Sequence, residues 1–266
     1  EPNNTISLLK NSNNGFLTIE DGKNYTAEII VKDFKGNSQK LTIPITGKQL
    51  PIKVEKPQPK KTDYWVDKNI FNKFSLEDFT VAFPKQTFYN NFYLDLKTQN
   101  NAILIHEETV PINRNFTLTF DVSKYSVAER DKLYIAHYNS RNRPYYVKTV
   151  KKPTYFYTST KKIGKYKLLV DDVPPKIILS NFKNKQWISN HKTIKVKISD
   201  FESGIRAYAG EINGEWVLFE YEPKNGLLTY NLSDKKFDEA AHKLKLAVTD
   251  NVGNTTTLHA TFFRKP

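Results

Sequence analysis

The chain predicts an all-β protein: tandem antiparallel β-sandwiches of the immunoglobulin-like kind, the first of them incomplete. Three observations predict this. Apolar and polar residues alternate in short runs, Asn-Gly pairs punctuate those runs, and one hairpin is spelled twice at a constant offset of 217 residues.

The alternation is clearest in Phe116, Leu118, Phe120; in Ile194, Val196, Ile198; and in Leu244, Leu246, Val248. The residues between are mostly Thr or Lys, and a period of two puts one face on a core and the other in water. Asn14-Gly15, Asn213-Gly214 and Asn225-Gly226 mark tight hairpins, because Asn and Gly tolerate the positive φ that such turns require. Long amphipathic helices are missing. One short helix is predicted from Ser126 to Leu133, where Ser126 and Glu129 have capping-box spacing.

The repeat aligns Tyr25–Lys48 with His242–Lys265. It superposes an Asp-x-x-Gly-Asn turn, Asp33, Gly36 and Asn37 on Asp250, Gly253 and Asn254. On the incoming strand Ala27, Ile29 and Val31 match Leu244, Leu246 and Val248; on the outgoing one Leu41, Ile43 and Ile45 match Leu258, Ala260 and Phe262. Both copies read as the last hairpin of an immunoglobulin-like sandwich.

Composition sets the boundaries. Residues 51–62 hold prolines and lysines and read as an extended linker, and Val173-Pro174-Pro175 marks a second stiff joint. The predicted units are 1–50, the C-terminal part of an immunoglobulin-like sandwich; 63–171, a central sandwich; and 172–266, a second immunoglobulin-like sandwich. Fifty residues are too few for a whole sandwich, which needs roughly 100, so the missing strands are expected upstream. The chain contains no methionine, and Glu1 is therefore expected to begin a processed or trimmed form.

The formal net charge is +13 and there is no cysteine. Without a thiol, cysteine-based zinc sites, redox pairs and thiol nucleophiles are excluded. The positive charge divides as +4, +6 and +3 over residues 1–62, 63–171 and 172–266; nucleic-acid binding expects one strongly basic face instead. No apolar run is long enough to cross a bilayer as a helix. A generally basic surface suits solubility beside anionic polymers or lipid head groups, and the absence of cysteine fits an exported bacterial protein, so an extracytoplasmic location is expected.

Chemistry-bearing patterns are sparse. Zinc hydrolysis brings imidazoles and carboxylates to about 2 Å from one ion, usually from closely spaced His pairs. The five histidines spell no His-x-His, His-x-x-x-His or His-Glu-x-x-His. His106-Glu107-Glu108 follows the apolar run Ala102 to Ile105 and reads as an exposed strand end. The two Asp-x-x-Gly-Asn turns resemble calcium loops but offer one carboxylate and one amide each, so they read as structural Asx-turns. No catalytic residue, metal site or cofactor is predicted.

Residues 133–170 hold nine Lys or Arg and no Asp or Glu, interleaved with tyrosines. Cations beside aromatic rings are what stacking on sugar or base faces uses. The candidate binding surface is Arg141, Arg143, Tyr145, Tyr146, Lys148, Lys151, Lys152, Tyr155, Tyr157, Lys161 and Lys162. Alternation should turn about half of the rings of this stretch inward. Trp216, leading into Val217, Leu218 and Phe219, reads as a core anchor.

Two stretches carry a resemblance. The first runs from Val110-Pro111-Ile112-Asn113 through Phe120-Asp121 and Asp131-Lys132-Leu133 to Lys162-Ile163-Gly164-Lys165 and the Pro174-Pro175 joint; the second runs from Ser203-Gly204-Ile205 to Asp250-Asn251-Val252-Gly253-Asn254. Together they resemble the C-terminal sandwich region of secreted or periplasmic proteins of Bacteroidota that carry a lysostaphin/LytM-type zinc peptidoglycan endopeptidase domain (metallopeptidase family 23). The resemblance implies an upstream catalytic domain in the parent chain. None of that family's zinc ligands falls on a position of this sequence. The expected function is therefore a non-catalytic accessory region that spaces or docks an envelope hydrolase. The alternative is a binding module or structural subunit of an envelope complex, contacting envelope proteins or anionic cell-wall glycan.

Overall fold

The computed structural model describes residues 17–49, 60–236 and 238–265. Asn14-Gly15 and most of the 51–62 linker lie outside the described residues. The chain divides into two compact units, 1–58 and 59–266. In the first, the described residues form one antiparallel hairpin, Asn24–Lys32 with Ser38–Thr46.

The second unit contains two sandwiches with separate cores. In the central one, a five-stranded sheet runs in the order Pro144–Tyr146, Leu133–Tyr138, Gly164–Val170, Ala102–Ile105, Leu96–Gln99. It faces a second sheet ordered Val150–Lys151, Tyr155–Thr160, Phe116–Asp121, Phe79–Phe83, Asn72–Leu76. Their inner faces alternate as the sequence requires: Phe116, Leu118 and Phe120 are buried against Ile103, Ile105, Ile135 and Tyr166. The helix is Val127–Lys132, capped by Ser126 with the full capping box to Glu129.

The C-terminal sandwich pairs a four-stranded sheet, Lys176–Leu179, Thr193–Ser199, Leu227–Asn231, Glu220–Glu222, with a five-stranded one, Gln186–Trp187, Thr255–Phe263, Ala241–Asp250, Ile205–Ile212, Glu215–Val217. Its pairings are antiparallel except that the two-residue strand Gln186–Trp187 runs parallel to Thr255–Phe263. Asn213 and Gly214 both have positive φ in a two-residue turn, as an Asn-Gly hairpin demands. Asn225-Gly226 instead ends a four-residue connection between Glu222 and Leu227. Thr256 Oγ1 donates to the Pro175 carbonyl at 2.6 Å, tying the proline joint to the start of the final strand.

The two hairpins of the repeat share their register. Ala27 pairs with Ile43 and Ile29 with Leu41; Leu244 pairs with Ala260 and Leu246 with Leu258. Their surroundings differ. Leu244, Leu246 and Val248 are buried, whereas Ile29, Val31 and Leu41 are exposed.

Trp216 corrects the sequence expectation, being 67% exposed. It lies on an edge strand whose next residue, Val217, is buried, so alternation points the indole outward. Trp65 and Trp187 are also exposed, against Tyr93 and Phe263 respectively.

Candidate functional site: a lysine track on the central sandwich

The basic stretch 133–170 is divided between the two sheets of the central sandwich. Tyr155 and Tyr157 lie on the strand Tyr155–Thr160 with their rings 6.3 Å apart, beside Lys152. Lys151 is part-buried, and its ammonium donates to the carbonyls of Arg130 at 3.1 Å and Asp131 at 2.7 Å. Burial lowers its pKa, opposed only in part by the charge of Asp131. Lys151 is thus tied to the backbone, unlike the exposed Lys148 and Lys152. Arg141 and Arg143 are exposed on a tight turn, where both backbone amides donate to Asn139 Oδ1 at 3.0 Å. Tyr146 packs against the buried Tyr134, ring centroids 5.9 Å apart.

Tyr145, Lys161 and Lys162 belong to a different place, a cavity of about 470 Å³ shared with Glu108, Asn139 and His137. His137 continues the inward series Leu133, Ile135 and is fully buried. Its Nε2 lies 2.9 Å from the Ile163 carbonyl, which can only accept, so the proton sits on Nε2. The Tyr145 hydroxyl then donates to Nδ1 at 2.6 Å and accepts from the Lys162 ammonium at 3.2 Å. Burial pushes the His137 pKa down, only partly opposed by the Ile163 carbonyl and the Glu108 carboxylate. A neutral imidazole with both nitrogens committed has no lone pair to offer as a general base. Gly164, at φ +118°, keeps the wall open, since a Cβ there would meet His137 Nε2 at 3.1 Å.

A larger trough of about 700 Å³ lies on the outer face of the same sheet. Register explains its lining: Lys165 pairs with Leu104 and Leu104 with Lys97, while Lys167 pairs with Ala102 and Ala102 with Gln99. Small Ala102 lets the trough sink between flanking lysines. Tyr138 forms one wall, with the Lys165 ammonium 4.4 Å from its ring centroid. A third depression, about 310 Å³, shares Leu104, Tyr138 and Lys165 with the trough and Glu108, Asn139 and Ser140 with the His137 cavity. The third depression therefore adjoins both of the others. Lys97 is paired with Asp95 at 2.6 Å. Tyr138, Lys165 and Lys167 fall in the basic, tyrosine-rich stretch 133–170 read from the sequence, although not in the candidate surface; Lys97 lies outside it, because strand pairing, and no sequence spacing, brings it to them.

The turn Asp250, Gly253, Asn254 closes as an Asx-turn: Asp250 Oδ1 accepts from the amides of Val252, Gly253 and Asn254. Asp33 Oδ1 accepts in the same way from Lys35 and Asn37, with Gly36 at positive φ.

Residues 63–171 match the family model of the Zu5-like domain. The central segment is thus similar to that domain family, and the match gives no link to a peptidase. No curated protein matches the chain. Among solved structures, latent PorU from Porphyromonas gingivalis is similar at 15% identity over 57% of this chain and 22% of that one, TM-score 0.30. The Bacteroides ovatus mixed-linkage glucan utilization protein SGBP-B, solved with a mixed-linkage heptasaccharide, is similar at 9% identity over 92% of this chain and 54% of that one, TM-score 0.22. A 1.5-MDa bacterial ice-binding adhesin is similar at 11% identity over 92% of this chain and 76% of that one, TM-score 0.21. The chain spans about a fifth of the PorU chain and about half of the glucan-locus protein. Likeness this weak does not extend to a shared function. Among the described residues no helix is long and apolar enough to cross a membrane.

Proposed function

We propose that this chain is a non-catalytic accessory region of an extracytoplasmic bacterial envelope protein, and that its central sandwich docks on anionic cell-wall glycan along the lysine track. The observation that carries the reading is that Lys97, Lys167, Lys165, Lys161 and Lys162 line adjoining depressions, two of which share Tyr138 as a wall. An extended anionic polymer is held by cations spaced along a shallow trough, and a tyrosine face gives its sugar rings a platform. The commitment of both His137 nitrogens supports binding over catalysis. The resemblance of the sequence to peptidase-associated sandwiches extends the proposal to the parent chain, in which an upstream zinc endopeptidase domain would be spaced and held on its wall substrate.

The test is co-sedimentation with insoluble peptidoglycan. Retention should fall as salt rises from about 0.05 M to about 0.5 M, because the contact is a screened one. It should fall further in a Lys97→Ser, Lys165→Ser, Lys167→Ser triple variant that keeps the wild-type circular dichroism. Retention indifferent to that variant would remove the track from the contact, and hydrolysis of peptidoglycan by the purified chain with zinc would overturn the non-catalytic reading. A second reading, a structural subunit of an envelope complex, is favoured by the exposed Ile29, Val31 and Leu41 of the first hairpin.

A further inference from the structure

At the joint between the two sandwiches of the second unit, three strand ends bring carboxylates together. Asp171 follows Gly164–Val170, Asp200 follows Thr193–Ser199, and Asp250 closes Ala241–Asp250. One oxygen from each lies within 4.8 Å of the others. Asp171 and Asp250 are fully buried, and Asp200 is partly so. A fourth carboxyl, Glu202, lies near them: burial first, and then the neighbouring Asp171, hold its pKa above the usual carboxylate range.

Buried like charges this close repel unless a cation or a proton stands between them. Among the described residues none of the three aspartates forms an ion pair. The nearby ammonium groups are engaged elsewhere: Lys132 reaches Asn254 Oδ1, and Lys151 is spent on two backbone carbonyls. Amides satisfy much of the carboxylate capacity: Val173 and Ser203 on Asp171 at 3.1 Å, Glu202 and Gly204 on Asp200 at 3.1 and 2.7 Å, and the amides of Val252, Gly253 and Asn254 with Asn254 Nδ2 on Asp250. Hydrogen bonds from neutral amides orient these oxygens without neutralising them.

An independent observation points the same way. Ser203 is fully buried, and its Oγ has no hydrogen-bond partner. It belongs to the residue whose own amide donates to Asp171, three positions after Asp200, so Ser203 sits against the carboxylate group. A hydroxyl shut away from water without a partner is costly. Ligation of a metal would use its lone pair.

We propose that Asp171, Asp200, Asp250 and the Ser203 hydroxyl, with Glu202 closing the open side, bind a hard divalent cation of the calcium class. The donors are all oxygen, and three are carboxyl groups, which suits calcium over a softer transition metal. The ligands come from both sandwiches. Binding therefore fixes the Asp171–Pro175 joint, and with it the angle at which the C-terminal sandwich is carried.

The experiment uses the whole 266-residue chain stripped with chelator, titrated with terbium and competed with calcium. Tyr134, buried and within the field of Glu202, Asp171 and Asp200, serves as sensitiser. The expected result is saturable terbium luminescence displaced by calcium, together with a calcium-dependent rise in Tm. Asp200→Asn, which keeps the acceptor oxygen for the Glu202 and Gly204 amides, should weaken calcium binding at least about tenfold. Asp33→Asn, the equivalent turn without a carboxylate cluster, should bind as wild type. If Asp200→Asn lacks a cooperative melt, Glu202→Gln on the exposed loop takes its place and should weaken binding in the same direction. No saturable binding by the wild-type chain at millimolar calcium overturns the proposal, as does calcium affinity unchanged in the folded variant or lost in Asp33→Asn.

Discussion

Asn254→Ala removes the side chain that stitches the central sandwich to the C-terminal one. Asn254 Nδ2 donates to the Asp171 carbonyl at 2.9 Å and to Asp250 Oδ2 at 2.7 Å, and its Oδ1 accepts from the Lys132 ammonium. The residue is 8% exposed, so water does not freely replace what is lost. A neutral buried bond contributes about 1 kcal/mol and a bond to a charged acceptor about 1.5–3 kcal/mol. With about 1 kcal/mol more for the half-buried lysine contact, the expected loss is about 3–5 kcal/mol. For a unit the size of 59–266 that is a fall in Tm of at least about 6 °C, read by calorimetry or by near-ultraviolet circular dichroism. The matched control is Asn37→Ala. It removes the same Asn-to-Asp bond, 2.7 Å long, from an exposed copy of the turn, and no resolvable change in melting is expected there. A drop of less than about 4 °C for Asn254→Ala would refute the reasoning, because it would mean that water reaches the joint and makes the same bonds.

Gly210→Ala places a Cβ 2.5 Å from two ring atoms of Phe219, which is fully buried against Tyr230. The ring has nowhere to go, so overpacking should cost about 1–3 kcal/mol, visible as a lower urea midpoint; an unchanged midpoint would show that the core yields. Acidification should destabilise the chain through His137. Its folded pKa lies below the ordinary 6.5 because of burial, so the unfolded chain takes up the proton first. Stability is complete above about pH 6.5 and falls below it, by no more than about 1.4 kcal/mol per pH unit for this one group. His137→Gln should show a shallower decline between pH 7 and 5, and parallel declines would exclude His137 as the cause.

Much of the fold is legible because strand alternation is a local signal. Phe116, Leu118, Phe120 and Ile194, Val196, Ile198 are buried as their period of two requires. The register of the final hairpin recurs at the offset read from the sequence, since an Asx-turn with a glycine at positive φ leaves the flanking strands little choice of pairing. Which face of an apolar run points inward is less legible. Around Trp216 the run Trp216 to Phe219 is apolar throughout, and only the pairing of Gly210 with Val217 decides that the indole faces water. Burial is also unspelled: Ile29 and Leu246 occupy equivalent register positions, one exposed and one buried. The Lys97 end of the track and the carboxylate group escaped because both are assembled from distant segments. Lys97 reaches Lys165 through Leu104, and Asp171, Asp200 and Asp250 converge from three strand ends that no motif spacing connects.

The bond from Thr256 to the Pro175 carbonyl has a mechanical consequence. It fixes the point where the chain passes into the C-terminal sandwich beside the start of the strand Thr255–Phe263, so the sandwich is entered at one pole. Phe263 lies seven residues further along that strand, roughly 24 Å away at strand rise, and the chain leaves at the opposite pole. Tension along the polypeptide therefore runs parallel to the nine paired positions joining this strand to Ala241–Asp250. It shears that ladder as a whole, where a pull across the strand would peel it one rung at a time.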